Sequence, residues 1–157
     1  IYGEYKANNA QEVSEMWEQV KLKEKGGNKT VLAGIPESLP ALVKAYRIQD
    51  KVANVGFDWE KREDVWAKVK EEIAEFEVEV EHMDEEKATE EMGDLIFALV
   101  NAARLYNIRP DNALEKTNAK FIKRFNYIEQ KAKEKGQSLN DMTLDEMEAL
   151  WQEAKKA

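Results

Sequence analysis

Residues 62–106 read REDVWAKVKEEIAEFEVEVEHMDEEKATEEMGDLIFALVNAARLY, and this stretch decides the fold. Its first half repeats apolar residues every three or four positions, which is the spacing of one face of an α-helix. These residues are Val65, Val69, Ile73, Phe76 and Val80. Further along, residues 95–100 are apolar on all sides, which is typical of a helix at the centre of a bundle. The pattern predicts two long helices on either side of Met83-Asp84, packed antiparallel across a tight turn.

The remainder of the chain has the same helical period, and no window alternates in the manner of a β-strand. Signals for helix ends are present: Thr143 with Glu146 forms a capping box, and Gly136 ends a long helical pattern. The predicted helices cover about 9–26, 38–54, 62–82, 84–106, 110–136 and 143–151. Short connections between long helices favour antiparallel neighbours, so we predict an all-α helical bundle.

The composition excludes several classes of protein. With 157 residues, of which 43% are hydrophobic, the chain has the size of one ordinary domain. The longest uncharged stretch, Leu95 to Ala103, is too short to cross a bilayer. The absence of cysteine excludes disulfides and thiolate metal sites and favours a cytoplasmic location. Residues 1–6 lack the features of a signal peptide, and the start at Ile1 suggests a processed chain or a domain cut from a longer one.

The net charge of −8 argues against binding of a nucleic-acid polymer, which needs a basic face. The distribution of charge is more informative than the sum. Between Glu71 and Asp94 there are twelve acidic residues and one basic residue, so this segment carries −11. Between Arg104 and Lys135 there are nine basic and four acidic residues. This arrangement suits cations on the acidic helices and phosphates on the basic one, although solvated charged faces would give the same pattern.

Two short acidic motifs lie on the neighbouring helices, Glu71-Glu72-x-x-Glu75 on the first and Glu91-x-x-Asp94 on the second. Spacings of three and four residues place each set on one helix face, so an antiparallel pair would bring the two sets together. Several carboxylates at one place repel each other, and partial burial makes the repulsion stronger. A divalent cation with oxygen ligands, Mg²⁺ or Mn²⁺, removes this difficulty. The alternative is an ordinary acidic surface, but Asp94 enters an uncharged run, where it gains nothing without a partner.

These motifs also resemble a known family. The strings KEEIAE at 70–75 and EEMGDLIF at 90–97 resemble the EExxE…ExxD pattern of the MazG-type all-α nucleoside triphosphate (NTP) pyrophosphohydrolases. Similar strings are SLPAL at 38–42, NVGFDW at 54–59, VNAAR at 100–104, NAKF at 118–121, RF at 124–125 and IE at 128–129. The resemblance covers about residues 35–151 and is closest to the catalytic C-terminal half of two-repeat MazG proteins. It implies an N-terminal helix and linker at 1–34, a MazG-like catalytic domain at 35–157, and a fragment that lacks the first repeat.

The resemblance further implies an activity, a cofactor and a set of site residues. The expected reaction is Mg²⁺-dependent hydrolysis of an NTP to the monophosphate and pyrophosphate, with broad base specificity and with Mn²⁺ as a possible substitute. The implied metal ligands are Glu72, Glu75, Glu91 and Asp94, and Glu71 supports them as a catalytic acid of the same motif. The implied substrate-binding residues are Lys68, Lys87, Glu90, Lys120, Arg124 and Trp151. The family also builds its bundle and active site from paired subunits, so we expect a homodimer.

Several of these residues have simpler explanations. Lys120 and Arg124 could be ordinary exposed residues, and Trp151 lies at helical spacing from Met147, which is typical of a core residue. Asn101, in a buried run, more often bonds a neighbouring helix than a substrate. Trp59 could stack on a base or simply pack at the start of a helix.

The same sequence excludes one other function and leaves two open. A di-iron bundle needs two Glu-x-x-His units, and the chain has one histidine, His82, so that hypothesis fails. A narrower pyrophosphatase for dUTP or dCTP shares the acidic motifs and remains the alternative within the same class of enzyme. A non-catalytic helical interaction or regulatory module, whose acidic face binds a basic partner, remains the alternative outside it.

Overall fold

The computed structural model describes residues 12–18 and 30–157. Residues 12–18 are helical and are called α1. The other helices are α2 (Ala41–Ala53), α3 (Val65–Glu81), α4 (Glu85–Leu105), α5 (Pro110–Glu134) and α6 (Leu144–Lys156), with short 3₁₀ turns at Arg62–Asp64 and Leu139–Asp141. The described residues contain no β-strand, and this confirms the all-α prediction. No described helix is both long and apolar enough to span a membrane.

Most described helix ends lie at or near the residues predicted from the sequence, and the differences have physical reasons. The ends expected at residues 9 and 26 lie outside the described residues. Helix α2 begins after Pro40 rather than at Ser38, because Pro40 has ψ 140° and a residue that precedes proline avoids the helical region. The capping box predicted at Thr143 and Glu146 is present, and α6 continues past Trp151 to Lys156.

The turn between α3 and α4 sets the register of the two helices. Met83 adopts a left-handed conformation with φ 57°, and Asp84 then caps α4 by accepting a hydrogen bond from the Lys87 backbone N–H at 3.1 Å. At the other end of the pair, Trp66 Nε1 donates to Tyr106 Oη at 3.1 Å. The start of α3 therefore lies beside the end of α4, as an antiparallel pair requires.

The described residues up to Pro110 form one of two compact units. Helix α3 packs along α4, and α2 packs against α4 as well. The core between α3 and α4 consists of Val65, Val69, Ala98 and Ala102, with Leu95, Leu105 and Tyr106 packed against it.

The expectation that α4 is buried on all sides is only partly met within this chain. Ala98 and Val100 are buried, but Ile96, Phe97 and Leu99 are 42–46% exposed. A helix that is apolar all round needs neighbours on every side, and α2 and α3 cover only part of its circumference. Ile73 and Val80 of the α3 stripe are likewise 39% and 49% exposed.

Residues from Asp111 onward form the second compact unit. Phe121 lies 5.1 Å from Trp151 between ring centroids, and Tyr127 Oη donates to Glu153 Oε2 at 3.2 Å, so α5 and α6 pack together. Gly136, with φ 66°, follows the end of α5 in the conformation that favours glycine. The division of the chain at residue 34 stays a prediction, since residues 19–29 lie outside the described ones.

Candidate functional site

Three carboxylates predicted as metal ligands come together where α3 and α4 pack side by side. One oxygen from each of Glu72, Glu91 and Asp94 lies within 4.8 Å of the others. Glu91 and Asp94 are one turn apart on α4, and Glu72 faces them from α3 because the helices are antiparallel. Residues far apart in sequence thus form one compact group of oxygen atoms.

The three carboxylates are buried to different degrees, and two of their oxygen atoms have no hydrogen-bond partner among the described residues. Glu72 is only 5% exposed, Glu91 is half-buried and Asp94 is exposed. Glu72 Oε2 and Glu91 Oε2 are both buried, and no donor among the described residues reaches either atom. A buried carboxylate oxygen without a partner is unfavourable, because it has lost water and gained nothing in return. A hard divalent cation held by the three carboxylates would compensate their charge, so the residues present fit a metal site.

Glu75, the fourth predicted ligand, is exposed and lies next to Glu91. The pKa of Glu91 is raised, first by its partial removal from water, then by a hydrogen bond to Glu75, and then by the negative charges of Glu75, Asp94 and Glu72. Glu75 is not one of the three residues whose carboxylate oxygens lie within 4.8 Å of one another, and its interaction is with Glu91.

Lys68 partly neutralises the cluster from one turn earlier on α3. Its Nζ lies 2.8 Å from Glu72 Oε1 and 3.6 Å from Glu71 Oε2. The hydrogen bond to Glu72 raises the pKa of Lys68, with the charges of Glu72 and Glu71 acting in the same direction. Lys68 is thus a charged donor at the edge of the carboxylate group, and Glu71 is the more exposed of its two partners.

The remaining predicted residues are distributed over both units. Lys87 and Glu90 are exposed on the first turns of α4. In the second unit, Lys120 is exposed, and the Arg124 guanidinium carbon lies 5.5 Å from the centre of the Trp151 ring, a cation–π contact. Trp151 also packs on Phe121, so it is partly a core residue, as the simpler explanation proposed.

A cavity of about 390 Å³ opens beside the carboxylates. Its polar lining comes from Lys68, Glu72, Asp94 and Asn101. Its apolar lining comes from Trp59, Val65, Phe97 and Ala98. A space lined by both charged and aromatic groups suits a ligand that has both an anionic and an aromatic part.

An ion pair that the sequence did not predict contacts Asn101, one of the residues that line this cavity. Arg104 donates through Nη2 to Asp58 Oδ1 at 2.5 Å and through Nη1 to Asp58 Oδ2 at 3.3 Å. Its Nε donates to Asn101 Oδ1 at 3.0 Å. Asn101 therefore bonds within its own helix, and the ion pair ties α4 to the loop that carries Trp59. Asp58 and Arg104 lay in strings that resembled the family, but 46 residues separate them, and no local pattern indicated their pairing.

Comparison with known proteins finds a family that resembles the part of the chain carrying these carboxylates. Residues 60–128 match the MazG nucleotide pyrophosphohydrolase domain. This part of the chain is similar to the MazG domain. The matched residues include the carboxylates on α3 and α4, together with Lys120 and Arg124, whereas Asp58 and Trp151 lie outside the MazG match.

Curated relatives extend the similarity beyond the MazG domain. The chain is 41% identical over 160 residues to the "Nucleoside triphosphate pyrophosphohydrolase" of Escherichia coli K12, covering 99% of this chain and 61% of the relative. It is 38% identical over 140 residues to the "Nucleoside triphosphate pyrophosphohydrolase/pyrophosphatase MazG" of Thermotoga maritima, covering 88% and 54%. It is 47% identical over 160 residues to the "Uncharacterized protein YabN" of Bacillus subtilis, covering 99% and 32%. The chain thus spans about three fifths or less of the length of these relatives.

Proposed function

We propose that this chain hydrolyses nucleoside triphosphates to the monophosphate and pyrophosphate in a Mg²⁺-dependent reaction. The observation that carries the proposal is the pair of buried oxygens, Glu72 Oε2 and Glu91 Oε2, that no described donor reaches within a group of three carboxylates. The names of two relatives, from Escherichia coli and Thermotoga maritima, support the same reaction. The absence of cysteine supports a cytoplasmic location.

Each residue of the site has a defined task in this proposal. Glu72, Glu75, Glu91 and Asp94 hold the cation, and their oxygen ligands suit Mg²⁺, with Mn²⁺ as a substitute. When bound, the cation supplies Lewis-acid stabilisation of the phosphate charge. Lys68 donates from Nζ to a phosphate oxygen, which replaces part of its interaction with Glu72.

Glu71 is the proposed general base. It is exposed and interacts with Lys68 at 3.6 Å, so it is the acid of its motif least engaged with the other carboxylates. Water attacks the phosphorus on one side of the α–β anhydride, its proton passes to the Glu71 carboxylate, and the P–O bond of that anhydride to the other product breaks. Lys87, Glu90, Lys120, Arg124 and Trp151 are proposed as further contacts to the substrate.

We propose that the working form is a homodimer. Large apolar side chains on α4 are between 37% and 46% exposed in the single chain: Met92, Ile96, Phe97 and Leu99. An apolar surface of this kind on a regular helix is suited to a second copy of the chain. A monomer mass by light scattering would contradict this part of the proposal.

The decisive experiment measures pyrophosphate release from a mixture of NTPs, with Mg²⁺ and with EDTA, for the wild type, Asp94→Asn and Glu86→Gln. Glu86 is an exposed acid on α4 outside the carboxylate group, so its variant is the matched control. We expect release that needs Mg²⁺, falls by at least about 100-fold in Asp94→Asn and is unchanged in Glu86→Gln. No release from folded wild-type protein would point to a binding or regulatory domain. Release from dUTP or dCTP alone would contradict broad base specificity.

A further inference from the structure

Each partner of the Asp58–Arg104 ion pair also holds a residue that lines the cavity beside the carboxylates. Asp58 Oδ1 accepts a hydrogen bond from the backbone N–H of Trp59 at 2.8 Å. Arg104 Nε donates to Asn101 Oδ1 at 3.0 Å. Trp59 and Asn101 both line the cavity, the first from the loop before α3 and the second from α4. One ion pair therefore holds two wall residues that lie on different elements of the chain.

The hydrogen bond from Arg104 decides which way the Asn101 amide faces. A guanidinium group can only donate, so the amide oxygen must face Arg104 and the NH₂ group must face away from it. Asn101 Nδ2 makes no hydrogen bond with any described residue, and it is not one of the buried polar atoms that lack a partner, so it keeps contact with solvent. Asn101 thus carries an oriented, accessible donor and lines the cavity beside the carboxylates.

Stability alone does not explain an ion pair at this position. The Arg104 and Asp58 side chains are only 10% and 16% exposed. Removing two charges from water offsets much of their attraction, so two well-packed apolar side chains could stabilise the fold as much. Apolar side chains lack direction, however, whereas Arg104 places three N–H groups at fixed angles, two on Asp58 and one on Asn101. The orientation of Asn101 is therefore the feature that only this pair provides.

Asn101 lies within reach of a nucleotide held at the carboxylates. It follows Asp94 by seven residues on α4, so it lies on the same face two turns away, about 10 Å along the helix axis. An extended triphosphate with its sugar spans such a distance. We propose that Asp58 and Arg104 are positioning residues, which orient Asn101 so that its NH₂ group donates to an oxygen of the nucleotide. The inference rests on the proposed function for its substrate class.

The test measures, by calorimetry in Mg²⁺, the binding of α,β-methylene ATP, which cannot be hydrolysed at its α–β bridge. Asn101→Ala should raise Kd about fivefold, because one hydrogen bond is lost. Arg104→Lys keeps the charge but loses the Nε donor, so the amide is free to turn and Kd should rise about threefold. The double variant should bind no more weakly than Asn101→Ala, since no amide remains to be oriented. Arg47→Lys, at an exposed arginine of α2, is the matched control and should bind as wild type.

Losses that multiply in the double variant would show that Arg104 and Asn101 act independently, and this would overturn the inference. Unchanged binding by Asn101→Ala would overturn it as well.

Two further measurements separate orientation from a general effect on the fold. Mg²⁺ alone should raise Tm in Asn101→Ala and Arg104→Lys as much as in wild type, because neither residue is a proposed metal ligand. Asn101→Asp keeps the acceptor for Arg104 but has no NH₂ group, so it should unfold no more easily than wild type and bind α,β-methylene ATP at least as weakly as Asn101→Ala. If Mg²⁺ raises Tm in wild type but not in these variants, or if Asn101→Asp binds as wild type, the positioning role is rejected.

Competition with inorganic tripolyphosphate identifies the oxygen that accepts. If Asn101→Ala weakens tripolyphosphate about as much as α,β-methylene ATP, the acceptor is a phosphate oxygen; if only the nucleotide is weakened, the acceptor belongs to the nucleoside. In steady-state kinetics with NTPs, Asn101→Ala and Arg104→Lys should raise KM more than they lower kcat.

The binding measurements do not need turnover, so the inference and the proposed reaction fail separately. Dependence of the Asn101 contribution on Arg104, in a protein that releases no pyrophosphate, would keep the positioning role and reject the hydrolysis. Pyrophosphate release without this dependence would keep the hydrolysis and reject the positioning role.

Discussion

Lys68 Nζ lies 2.8 Å from Glu72 Oε1, whereas no described donor reaches the other oxygen of the same carboxylate, Oε2. One side of a nearly buried carboxylate is thus neutralised by a lysine, and the other side is left for a cation. Because Lys68 is itself partly exposed and lines the cavity beside the carboxylates, it can turn from Glu72 to a phosphate without crossing the core.

The first prediction concerns Lys68. Replacing Lys68 with Met should lower kcat/KM for NTPs by about 10- to 100-fold, because one charge-assisted hydrogen bond to phosphate is lost. Lys70→Met, two residues away and exposed on α3, is the control and should change the rate little. Steady-state kinetics of pyrophosphate release provides the measurement. Equal effects of the two variants would mean that Lys68 contributes only general positive charge.

The second prediction concerns the cation and does not depend on activity. A ligand at 100 times its dissociation constant stabilises a folded protein by about 2.7 kcal/mol, so saturating Mg²⁺ should raise Tm by several degrees. Asp94→Asn should abolish most of this increase, and Glu86→Gln should retain it. Calorimetry in Mg²⁺ and in EDTA gives the comparison. A Tm of the wild type that does not respond to Mg²⁺ or Mn²⁺ would contradict the metal site.

The third prediction concerns the Asp58–Arg104 ion pair, whose side chains are 16% and 10% exposed. Truncation of one partner leaves a largely desolvated charge unpaired, so Asp58→Ala should lower the free energy of unfolding by about 2–3 kcal/mol. Arg104→Ala should do the same, and the double variant should lose less than the sum of the two. Urea unfolding of all four proteins measures this coupling. Additive losses would show that the two side chains do not stabilise each other.

The fourth prediction concerns the turn between α3 and α4. Met83 has φ 57° and is 87% exposed, so its side chain contributes little packing while its backbone is strained. Met83→Gly should stabilise the protein by about 1 kcal/mol, because glycine adopts this conformation without steric conflict. Met83→Ala keeps the conflict and should leave stability nearly unchanged. If both variants destabilise the protein equally, the side chain of Met83 matters more than its backbone.

The sequence alone determined which segments are helical and where most of them end. These features depend on interactions within a few residues, such as the hydroxyl of Thr143 that accepts from the Glu146 N–H, or the proline at residue 40. The convergence of Glu72 with Glu91 and Asp94 was also predictable. It needs only the helical period, a short turn and antiparallel packing, and all three were readable from residues 62–106.

The tertiary structure decided which side chains lose their water and which atoms they meet. Gln49 looks like any polar residue of an amphipathic helix, yet it is buried against α4, with its amide on the Phe97 carbonyl. Asp58 and Arg104 lie in family-like strings, but no local pattern pairs them, and they meet only when the loop before α3 packs on α4. Local sequence patterns predict helices because the energy of a helix comes largely from interactions between residues that are close in sequence. The burial of Gln49 and the pairing of Asp58 with Arg104 depend on contacts between residues more than 40 positions apart, and only the packed chain brings those residues together.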